Sequence, residues 1–337
     1  MELLDKIWVW QEREMKRISE IAEDENLLYF TEGEKKIYDG CFKDIFDFSQ
    51  EGEFYAKFSN LIRGLDHDSK HCLIRCLDLI RRLNMCAAET MDIYTDQEKE
   101  ELLLRKKRTK EQIIKLADNL WEYNGYILPI NDFRSEIFED LLGIGMVGEK
   151  VNIGCRDVID VGAYIGDSSL VLSEITDGSV YAVEPIKKNI EYIKTTAEVN
   201  QKRIIPVHAA ASDTNSIEHL AIGERIYNSS IKKIGNRNYI DSFDVNTITI
   251  DKFVSEHKLD VGLIKIHAEG AEQKVLMGAK ETIIAQAPII IVEINHTESD
   301  FYDIKPMIEK WQSRYKYRIF KPNNGLICLG LKLIAYI

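Results

Sequence analysis

Cysteine, proline and long apolar runs are all scarce in this sequence of 337 residues. The six cysteines are scattered and too sparse for a disulfide scaffold, so we interpret them as reduced thiols. No run reaches the ~18 apolar residues of a membrane span, and the charged first residues leave no apolar core for a signal peptide. These absences predict a cytoplasmic protein without membrane insertion.

Basic residues are also in the minority, with 44 basic against 56 acidic side chains and a formal net charge of -12. Because nucleic-acid binding depends on a basic surface that neutralises phosphates, we predict no nucleic-acid partner. The run Arg105–Arg108 is basic, but Glu101 and Glu111 lie four residues from Arg105 and Lys107, which favours a solvated helix face. The length and the 45% of hydrophobic residues are typical of about two globular domains.

Helical periodicity dominates the first 125 residues, with apolar residues at intervals of three and four from Leu4 to Ala22 and from Asp96 to Trp121. In the second stretch, the residues expected to be buried on one side are Leu102, Leu103, Ile113, Leu116 and Leu120. We predict an all-α N-terminal domain over 1–125 that serves as a lid, a homodimer surface or a docking module.

From residue 126 to residue 337, short β-rich runs alternate with helical stretches, which predicts an α/β domain with a mainly parallel sheet. The predicted parallel strands are DVIDVG, SVYAVE, IIPVHAA, VGLIKIH and PIIIVEIN. Helices are expected at 167–175, 186–200, 271–286 and 304–314. YKYRIFK and LKLIAYI are expected to add an antiparallel pair at the sheet edge, and 217–250 to hold a hairpin or a substrate-side insertion.

The stretch DVIDVGAYIGDSS, from Asp157 to Ser169, runs from a strand through a glycine turn into a helix. Gly162 and Gly166 allow a tight turn and a close approach to a ligand. Glu184 ends the next strand, 184 − 162 = 22 residues later, which is near the ~20-residue interval of an acid that binds ribose hydroxyls. The pattern predicts an adenosine-containing cofactor.

The same loop lacks the middle glycine of the GxGxxG pattern that lets a pyrophosphate approach the backbone. Asp160 and Asp167 also flank it, and acids suit a cationic ligand such as S-adenosylmethionine better than a pyrophosphate. A nucleotide-cofactor oxidoreductase on a related fold remains the alternative.

These residues carry a family resemblance. DVIDVGAYIGDSS, VYAVEPIKKNIEYI, AAASD, TITIDKF and IKIHAEGAEQKVLMGA resemble the successive motifs of the FkbM-type methyltransferases, a branch of the class I S-adenosylmethionine-dependent enzymes. The resemblance covers about Tyr126 to the C-terminus. It implies a Rossmann-like sheet of seven strands with an antiparallel last hairpin, and S-adenosylmethionine as the cofactor, leaving S-adenosylhomocysteine as the product.

The resemblance also implies which residues hold the cofactor. Asp160, Gly162, Tyr164 and Gly166 would line its methionine half, Glu184 would hold the ribose, and Ser212 or Asp213 would face the adenine. The remaining cofactor-binding candidates are Asp167, Ser168 and Lys265.

On the reacting side, His267 stands where the family pattern Lys-x-Asp-x-Glu-Gly has aspartate. With an unperturbed pKa near ~6.5, either His267 or His296 could accept a proton from a hydroxyl, with the other orienting the substrate, and Glu269 is a further catalytic candidate. A structural, hydrogen-bonded role is the alternative for His267, and Glu293 is a weaker candidate base. We predict no metal site because no spacing demands one, although His267, Glu269 and His296 could instead hold a divalent ion.

The expected activity is methyl transfer from S-adenosylmethionine to a hydroxyl of a sugar, a glycan precursor or a secondary metabolite, and the substrate class follows only from the resemblance. Besides the oxidoreductase, one alternative is a non-catalytic protein that senses the cofactor and docks a partner through its helical region.

Overall fold

The structure is a computed structural model that describes residues 51–86, 95–148, 151–223, 229–230, 239–322 and 330–337. The helices are α1 (Glu51–Ile62), α2 (His67–Cys86), α3 (Asp96–Gln112), α4 (Ser135–Phe138), α5 (Asp167–Leu172), α6 (Lys187–Val199), α7 (Ile250–His257), α8 (Glu272–Met277), α9 (Lys280–Gln286) and α10 (Glu298–Trp311).

The strands are β1 (Ile114–Ala117), β2 (Leu120–Tyr123), β3 (Tyr126–Leu128), β4 (Asp157–Val161), β5 (Val180–Glu184), β6 (Ile204–His208), β7 (Ala210–Ala211), β8 (Ile217–Gly223), β9 (Ser229–Ser230), β10 (Tyr239–Ile248), β11 (Val261–Ile266), β12 (Ile289–Glu293), β13 (Lys316–Phe320) and β14 (Lys332–Tyr336). Two 3-10 helices, Leu141–Val147 and Ser173–Ile175, complete the elements.

The central sheet has seven strands in the order β13-β14-β12-β11-β4-β5-β6. Strand β14 is antiparallel to both of its neighbours, and the pairs from β12 to β6 are parallel. The predicted α/β fold, with an antiparallel last hairpin, is therefore confirmed. Strands β8 and β10 pair antiparallel in a second sheet, so the segment 217–250 does hold a hairpin.

The inner parallel strands β4, β5, β11 and β12 are mostly apolar because both faces of the sheet are covered there, as the sequence predicted, whereas Ile205 of the edge strand β6 is exposed. Along β4, Val158 and Ile159 are both fully buried, yet they belong to different apolar clusters on the two faces. In β11, Leu263 and Ile264 alternate in the same way. Period-2 alternation thus distributes one apolar run between two cores.

Two predicted helices have different bounds in the structure. The helix expected over 271–286 is divided into α8 and α9 around Gly278, where a Cβ would overlap the carbonyl oxygen of Ser212, so only glycine fits. The helix expected from residue 304 already begins at Glu298, because the Thr297 side chain accepts a hydrogen bond from the Asp300 amide and caps it.

The prediction of a helix from Asp96 to Trp121 is wrong beyond Gln112. Residues 114–128 instead form the antiparallel β1-β2-β3 sheet, and Leu116 is exposed rather than buried. Turn residues decide this outcome: Asn124 and Gly125 both have positive φ, at 51° and 86°, which suits a two-residue hairpin turn. Leu102 is buried as expected. The stretch from residue 4 to residue 22 and the side chain of Leu103 lie outside the described residues.

Helices α1 and α2 pack against the sheet edge at β13 and against α10. Leu61 of α1 and Leu73 of α2 belong to the same apolar cluster as Ile319 of β13, whose amide donates to Ser69 Oγ over 2.9 Å. The division into domains at residue 125, and a lid, homodimer or docking role for the helical region, stay predictions. Across the residues described above, no helix has both the length and the apolar character to cross a membrane.

The strand order also reverses next to β4. The chain moves outward from β4 through β5 to β6 and then returns to β11 on the other side of β4. Because open α/β sheets bind ligands at the carboxyl ends of the strands where this reversal occurs, the loops after β4 and β11 are the expected location of a site.

Candidate functional site

A cavity opens at the carboxyl ends of β4, β5, β11 and β12. It contains about 950 Å³ of empty space when the open solvent at its mouth is included. The predicted site residues that line it are Gly162, Tyr164, Ser168, Glu184, Lys265, His267 and Glu269. Seven predicted residues, far apart in the sequence, thus share one cavity.

The loop of residues 162–166, called the glycine loop below, forms one wall of this cavity. Gly162 has φ +73°, and a Cβ there would overlap the carbonyl oxygen of His267. Gly166 precedes α5 with φ +84°, and Tyr164 adopts φ 49°, which is strained for a non-glycine residue. The glycine at position 162 is therefore required by the close packing of the β4 and β11 loops as well as by any ligand.

Asp160 lies beneath the glycine loop and is not part of the cavity lining. Its Oδ2 accepts hydrogen bonds of 2.6 Å from both Ser168 and Ser169, and its Oδ1 lies 2.9 Å from Lys265 Nζ. Lys265 also donates to the carbonyl oxygens of Val161 and Gly162. In this arrangement Asp160 joins the start of α5 to the strands, so it positions the loop instead of touching a ligand in the cavity.

Asp167 is likewise fully buried and outside the lining, where it accepts a hydrogen bond from Arg134. Arg134 does line the cavity, and its guanidinium lies 5.8 Å from the centre of the Tyr164 ring. Sequence reasoning missed Arg134, because nothing in the stretch around it marks one arginine as different from another.

Glu184 ends β5 and lines the cavity next to the glycine loop. Its Oε2 accepts from the Tyr164 amide, and its Oε1 accepts from the Ile186 amide and from Asn189 Nδ2. Burial raises the pKa of Glu184 to about 7, even though these hydrogen bonds favour the carboxylate. Glu184 is thus an acceptor-rich group at the place where the sequence predicted a ribose contact.

Ser212 and Asp213, the predicted adenine contacts, lie outside the lining. The Ser212 hydroxyl donates to Asp213 Oδ1 and to Glu218 Oε1. An apolar slot occupies that end of the cavity, and its residues are Pro185, Ile186, Ala209, Ala210, Ala211 and Leu220. Ala209 and Ala210 end the predicted strand IIPVHAA, and Ala211 follows it. The sequence analysis predicted a strand there and no ligand contact.

The opposite wall, called the charged wall below, consists of His267, Glu269, Glu293 and Lys332. His267 Nε2 lies 3.0 Å from Glu269 Oε1, and His267 Nδ1 lies 3.3 Å from Glu293 Oε1. Lys332 Nζ lies 3.1 Å from the same Glu293 oxygen. Burial opposes the ionisation of Glu293, but His267, Lys332 and His296 outweigh it and hold its pKa at about 2. The wall is therefore ionic.

His296 lies behind this wall, and only 3% of it is exposed. Burial would lower its pKa, but the carboxylates of Glu272, Glu269 and Glu293 outweigh burial and raise the pKa well above its usual value. These carboxylates therefore favour the protonated form of His296 when no ion is bound. Of the two histidines, only His267 lines the cavity.

Glu272 shapes the loop that carries His267 and Glu269. Its two carboxylate oxygens accept from the amides of Ala268 and Gly270, both over 2.8 Å, and Oε1 also lies 2.9 Å from His296 Nδ1. This last contact is close, but it is not aligned as a hydrogen bond. Glu269 has φ 49° within the loop. Glu272 and Lys332 were missed by the sequence analysis, although Glu272 is the last residue of the EGAE sequence at 269–272, which the resemblance included.

Comparison with known proteins identifies the α/β region. Residues 160–319, just under half of the chain, match the family described as the Methyltransferase FkbM domain. The resemblance drawn from the motifs is thus confirmed for this region. None of the curated proteins matches the chain.

Among solved structures, the crystal structure of methyltransferase FkbM from Methylobacillus flagellatus KT matches with a TM-score of 0.51 at 15% identity. The match covers 84% of this chain but only 58% of that protein. At this identity the likeness shows a shared fold.

Weaker likenesses have TM-scores of 0.36 and 0.34, both at 12% identity, and support no conclusion about this chain. The first is to a Thermus thermophilus 16S rRNA N2 G1207 methyltransferase bound to AdoMet and guanosine, with 63% of this chain and 47% of that one covered. The second is to a Pyrococcus abyssi tRNA (uracil-54, C5)-methyltransferase bound to S-adenosyl-L-homocysteine, with 66% and 44% covered.

Proposed function

We propose, from the FkbM-type methyltransferase domain at residues 160–319 and the cavity that it forms, that this protein transfers a methyl group from S-adenosylmethionine to a hydroxyl oxygen of a small polar acceptor. Sugars, glycan precursors and hydroxylated secondary metabolites are the acceptor classes. One observation carries the proposal: Glu184 and the glycine loop face the charged wall across a single cavity.

The residues on the Glu184 side fit an adenosyl ligand. Glu184 would accept hydrogen bonds from the ribose hydroxyls, and the apolar slot from Pro185 to Leu220 would hold the adenine. The glycine loop and Ser168 would border the methionine portion, and Arg134 would donate to its carboxylate. Lys265, whose ammonium group already contacts Asp160 and two loop carbonyls, would act by holding the loop. When bound, S-adenosylmethionine supplies an electrophilic methyl group on sulfur.

The charged wall fits a hydroxyl acceptor. Glu269 and Glu293 present hydrogen-bond acceptors to the cavity, Lys332 presents a donor, and His267 lies between the two carboxylates, which suits a ligand with several hydroxyl groups. Because methyl transfer is a direct displacement, most of the rate should come from holding the acceptor oxygen in line with the methyl group and excluding water. We keep His267 and Glu269 as residues that contact the acceptor, and we place His296 behind them as a positioning residue.

The cofactor assignment is tested by isothermal titration of the purified full chain with S-adenosylmethionine, S-adenosylhomocysteine and NAD. The two adenosyl sulfur compounds should bind, and Glu184→Ala should weaken both at least about tenfold, since hydrogen bonds to a charged group contribute ~1.5–3 kcal/mol. Glu191→Ala, an exposed glutamate on α6 paired with Lys194, is the matched control and should bind normally.

Binding of NAD alone would establish the oxidoreductase alternative and overturn the proposal. Asp160→Ala is a poor reporter of ligand contact, because Asp160 supports the loop from below and its loss would disturb the fold as well.

The acceptor class requires a second measurement. S-adenosylmethionine labelled in its methyl group should be incubated with pools of sugars, glycan precursors and hydroxylated metabolites, and the labelled product characterised by NMR. A methyl ether that resists mild base supports transfer to a hydroxyl. A base-labile methyl ester, or methyl on nitrogen or carbon, contradicts it while leaving the cofactor assignment intact.

A further inference from the structure

We propose that His267, Glu293 and His296 bind a divalent first-row transition ion, with Zn²⁺ as the expected occupant. One ligand atom from each of the three residues lies within 4.8 Å of the others. The proposal rests on this geometry and not on methyl transfer, so the two fail independently. The sequence analysis predicted no metal and gave His267, Glu269 and His296 only as an alternative ion site. Glu293 takes the place of Glu269 here, because the pairing of β12 with β11 brings Glu293 and His296 close to His267.

The separations between these atoms fit a shared ion better than direct hydrogen bonds. His296 Nε2 lies 3.7 Å from Glu293 Oε2 and 3.8 Å from Glu269 Oε2, which is too long for a hydrogen bond. Two ligands that are each ~2.0–2.2 Å from one zinc ion in tetrahedral geometry lie roughly 3.3–3.6 Å apart. The three ligand atoms lie within 4.8 Å of one another, so the side chains would have to close by up to about 1.5 Å around the ion.

Charge balance gives the second argument. Glu269, Glu272 and Glu293 bring three carboxylates into this largely buried region, where Lys332 is the lysine paired with Glu293. A divalent cation bound here would pair with these carboxylates in place of the proton that they favour on His296 without an ion, and buried charges are tolerated only when they are paired or bound to a metal.

The surroundings of His296 resemble those of a metal ligand. Its Nδ1 lies 2.9 Å from Glu272 Oε1, and Glu272 is itself fixed by the amides of Ala268 and Gly270. Metal-binding histidines usually present their second ring nitrogen to a carboxylate, which sets the ring orientation. Glu272 would play that part here, leaving His296 Nε2 for the ion.

The donor set decides which ion is expected. Two imidazoles and a carboxylate suit zinc, iron, cobalt or manganese, whereas magnesium prefers oxygen ligands. Lys332 competes for Glu293 Oε1, so the ion would use Oε2, which faces His296.

The role of the ion rests on the proposed function. His267, Glu269 and Glu293 line the cavity, so a coordination position left open would face the acceptor. A hydroxyl oxygen held there would release its proton more readily, with the Glu269 carboxylate as the proton acceptor.

The test uses the full chain, stripped with a chelator and free of any adenosyl compound. We expect one equivalent of Co²⁺ to give visible d–d absorption, and Zn²⁺ to displace it in isothermal titration. His267→Gln and His296→Gln should each weaken Co²⁺ binding at least about tenfold, because loss of an outer partner alone costs ~10–100-fold. Thermal unfolding without metal verifies that each variant is folded.

Two further variants make the result decisive. His67 and His71 form an exposed stacked pair on α2, 6.4 Å apart, that is a source of adventitious metal binding. The double variant His67→Ala/His71→Ala should bind Co²⁺ like the wild type. His267→Asp, which introduces a carboxylate ligand, should retain binding but shift the preference from Zn²⁺ towards Mn²⁺.

Absence of Co²⁺ absorption in the wild type would overturn the proposal. So would binding that persists in folded His267→Gln and His296→Gln variants, or binding that disappears only in the His67/His71 variant. In each of these cases the cluster is an ionic network that requires no ion, and the adenosyl-binding titration can still support the methyltransferase.

Discussion

The glycine loop is shaped mainly by backbone geometry, whereas the charged wall across the cavity is held by interactions between ionised side chains. Gly162 and Gly166 supply positive φ values, and the Tyr164 amide meets Glu184 directly. In the charged wall, Lys332 Nζ and His267 Nδ1 both lie close to the same carboxylate oxygen of Glu293. The stability of the glycine loop should therefore depend on the size of the side chains in it, and that of the charged wall on their charge.

The largest effect is expected from the loss of a charge in the charged wall. Lys332→Met should lower the free energy of unfolding by about 3–5 kcal/mol, because Glu293 would keep its buried charge without its lysine. Urea denaturation with a chelator present measures this change. Lys252→Met, which breaks an exposed pair with Glu256, should cost less than about 1 kcal/mol. Equal losses of unfolding free energy in the two variants would show that the Lys332–Glu293 ion pair does not stabilise the charged wall.

A single methyl group added at Gly162 should destabilise the glycine loop. Gly162→Ala should lower the free energy of unfolding by about 3 kcal/mol, since the new Cβ would overlap the His267 carbonyl at a positive φ. Gly154→Ala provides the matched control, because Gly154 has φ +65° with open space around it. It should cost only about 1 kcal/mol from backbone strain. Similar values by urea denaturation would mean that close packing does not require Gly162.

A smaller effect distinguishes the ligand-binding role of Glu184 from its structural one. If the Glu184 carboxylate accepts the two ribose hydroxyls as proposed, its pKa of about 7 should make the affinity for S-adenosylhomocysteine about tenfold weaker at pH 6 than at pH 8. Isothermal titration at the two pH values measures this ratio, and Glu184→Gln should show a flat profile. A wild-type profile as flat as that of the variant would contradict the assignment.

Stability should change in the opposite direction with pH. The pKa of Glu184 in the folded protein lies above its usual 4.5, so the folded state holds the proton more tightly than the unfolded state. This contribution to stability is fully present below pH 4.5 and is lost as the pH rises through 7. The difference between wild type and Glu184→Gln isolates it from the titration of other groups.

The smallest effect on stability is expected from a substitution of His267, the partly exposed residue of the charged wall. The His267 side chain is 25% exposed, so His267→Gln should change the free energy of unfolding by no more than about 1 kcal/mol without metal. Urea denaturation beside Lys332→Met measures the contrast. A loss as large as that of Lys332→Met would make His267 a structural residue, the alternative that the sequence left open.

Sequence patterns predicted the elements whose signal is local. All seven strands of the main sheet were found where apolar, branched runs predicted them, since the signal of each run lies within its own consecutive residues. Predictions were poorer where a few turn residues outweighed periodicity. The residues after Gln112 have a helical pattern but form the β1-β2-β3 sheet, because the tight turn at Asn124 and Gly125 favours a hairpin.

The sequence by itself determined the strands, the glycine loop and Glu184, because each depends on residues adjacent in the chain or on a fixed interval within one strand–helix–strand unit. Only the tertiary structure decided that Asp160 supports the loop from below, that Arg134 and Lys332 enter the cavity, and that Glu293 and His296 meet His267. These contacts join residues tens to hundreds of positions apart, and their charges acquire partners only when the strands pair.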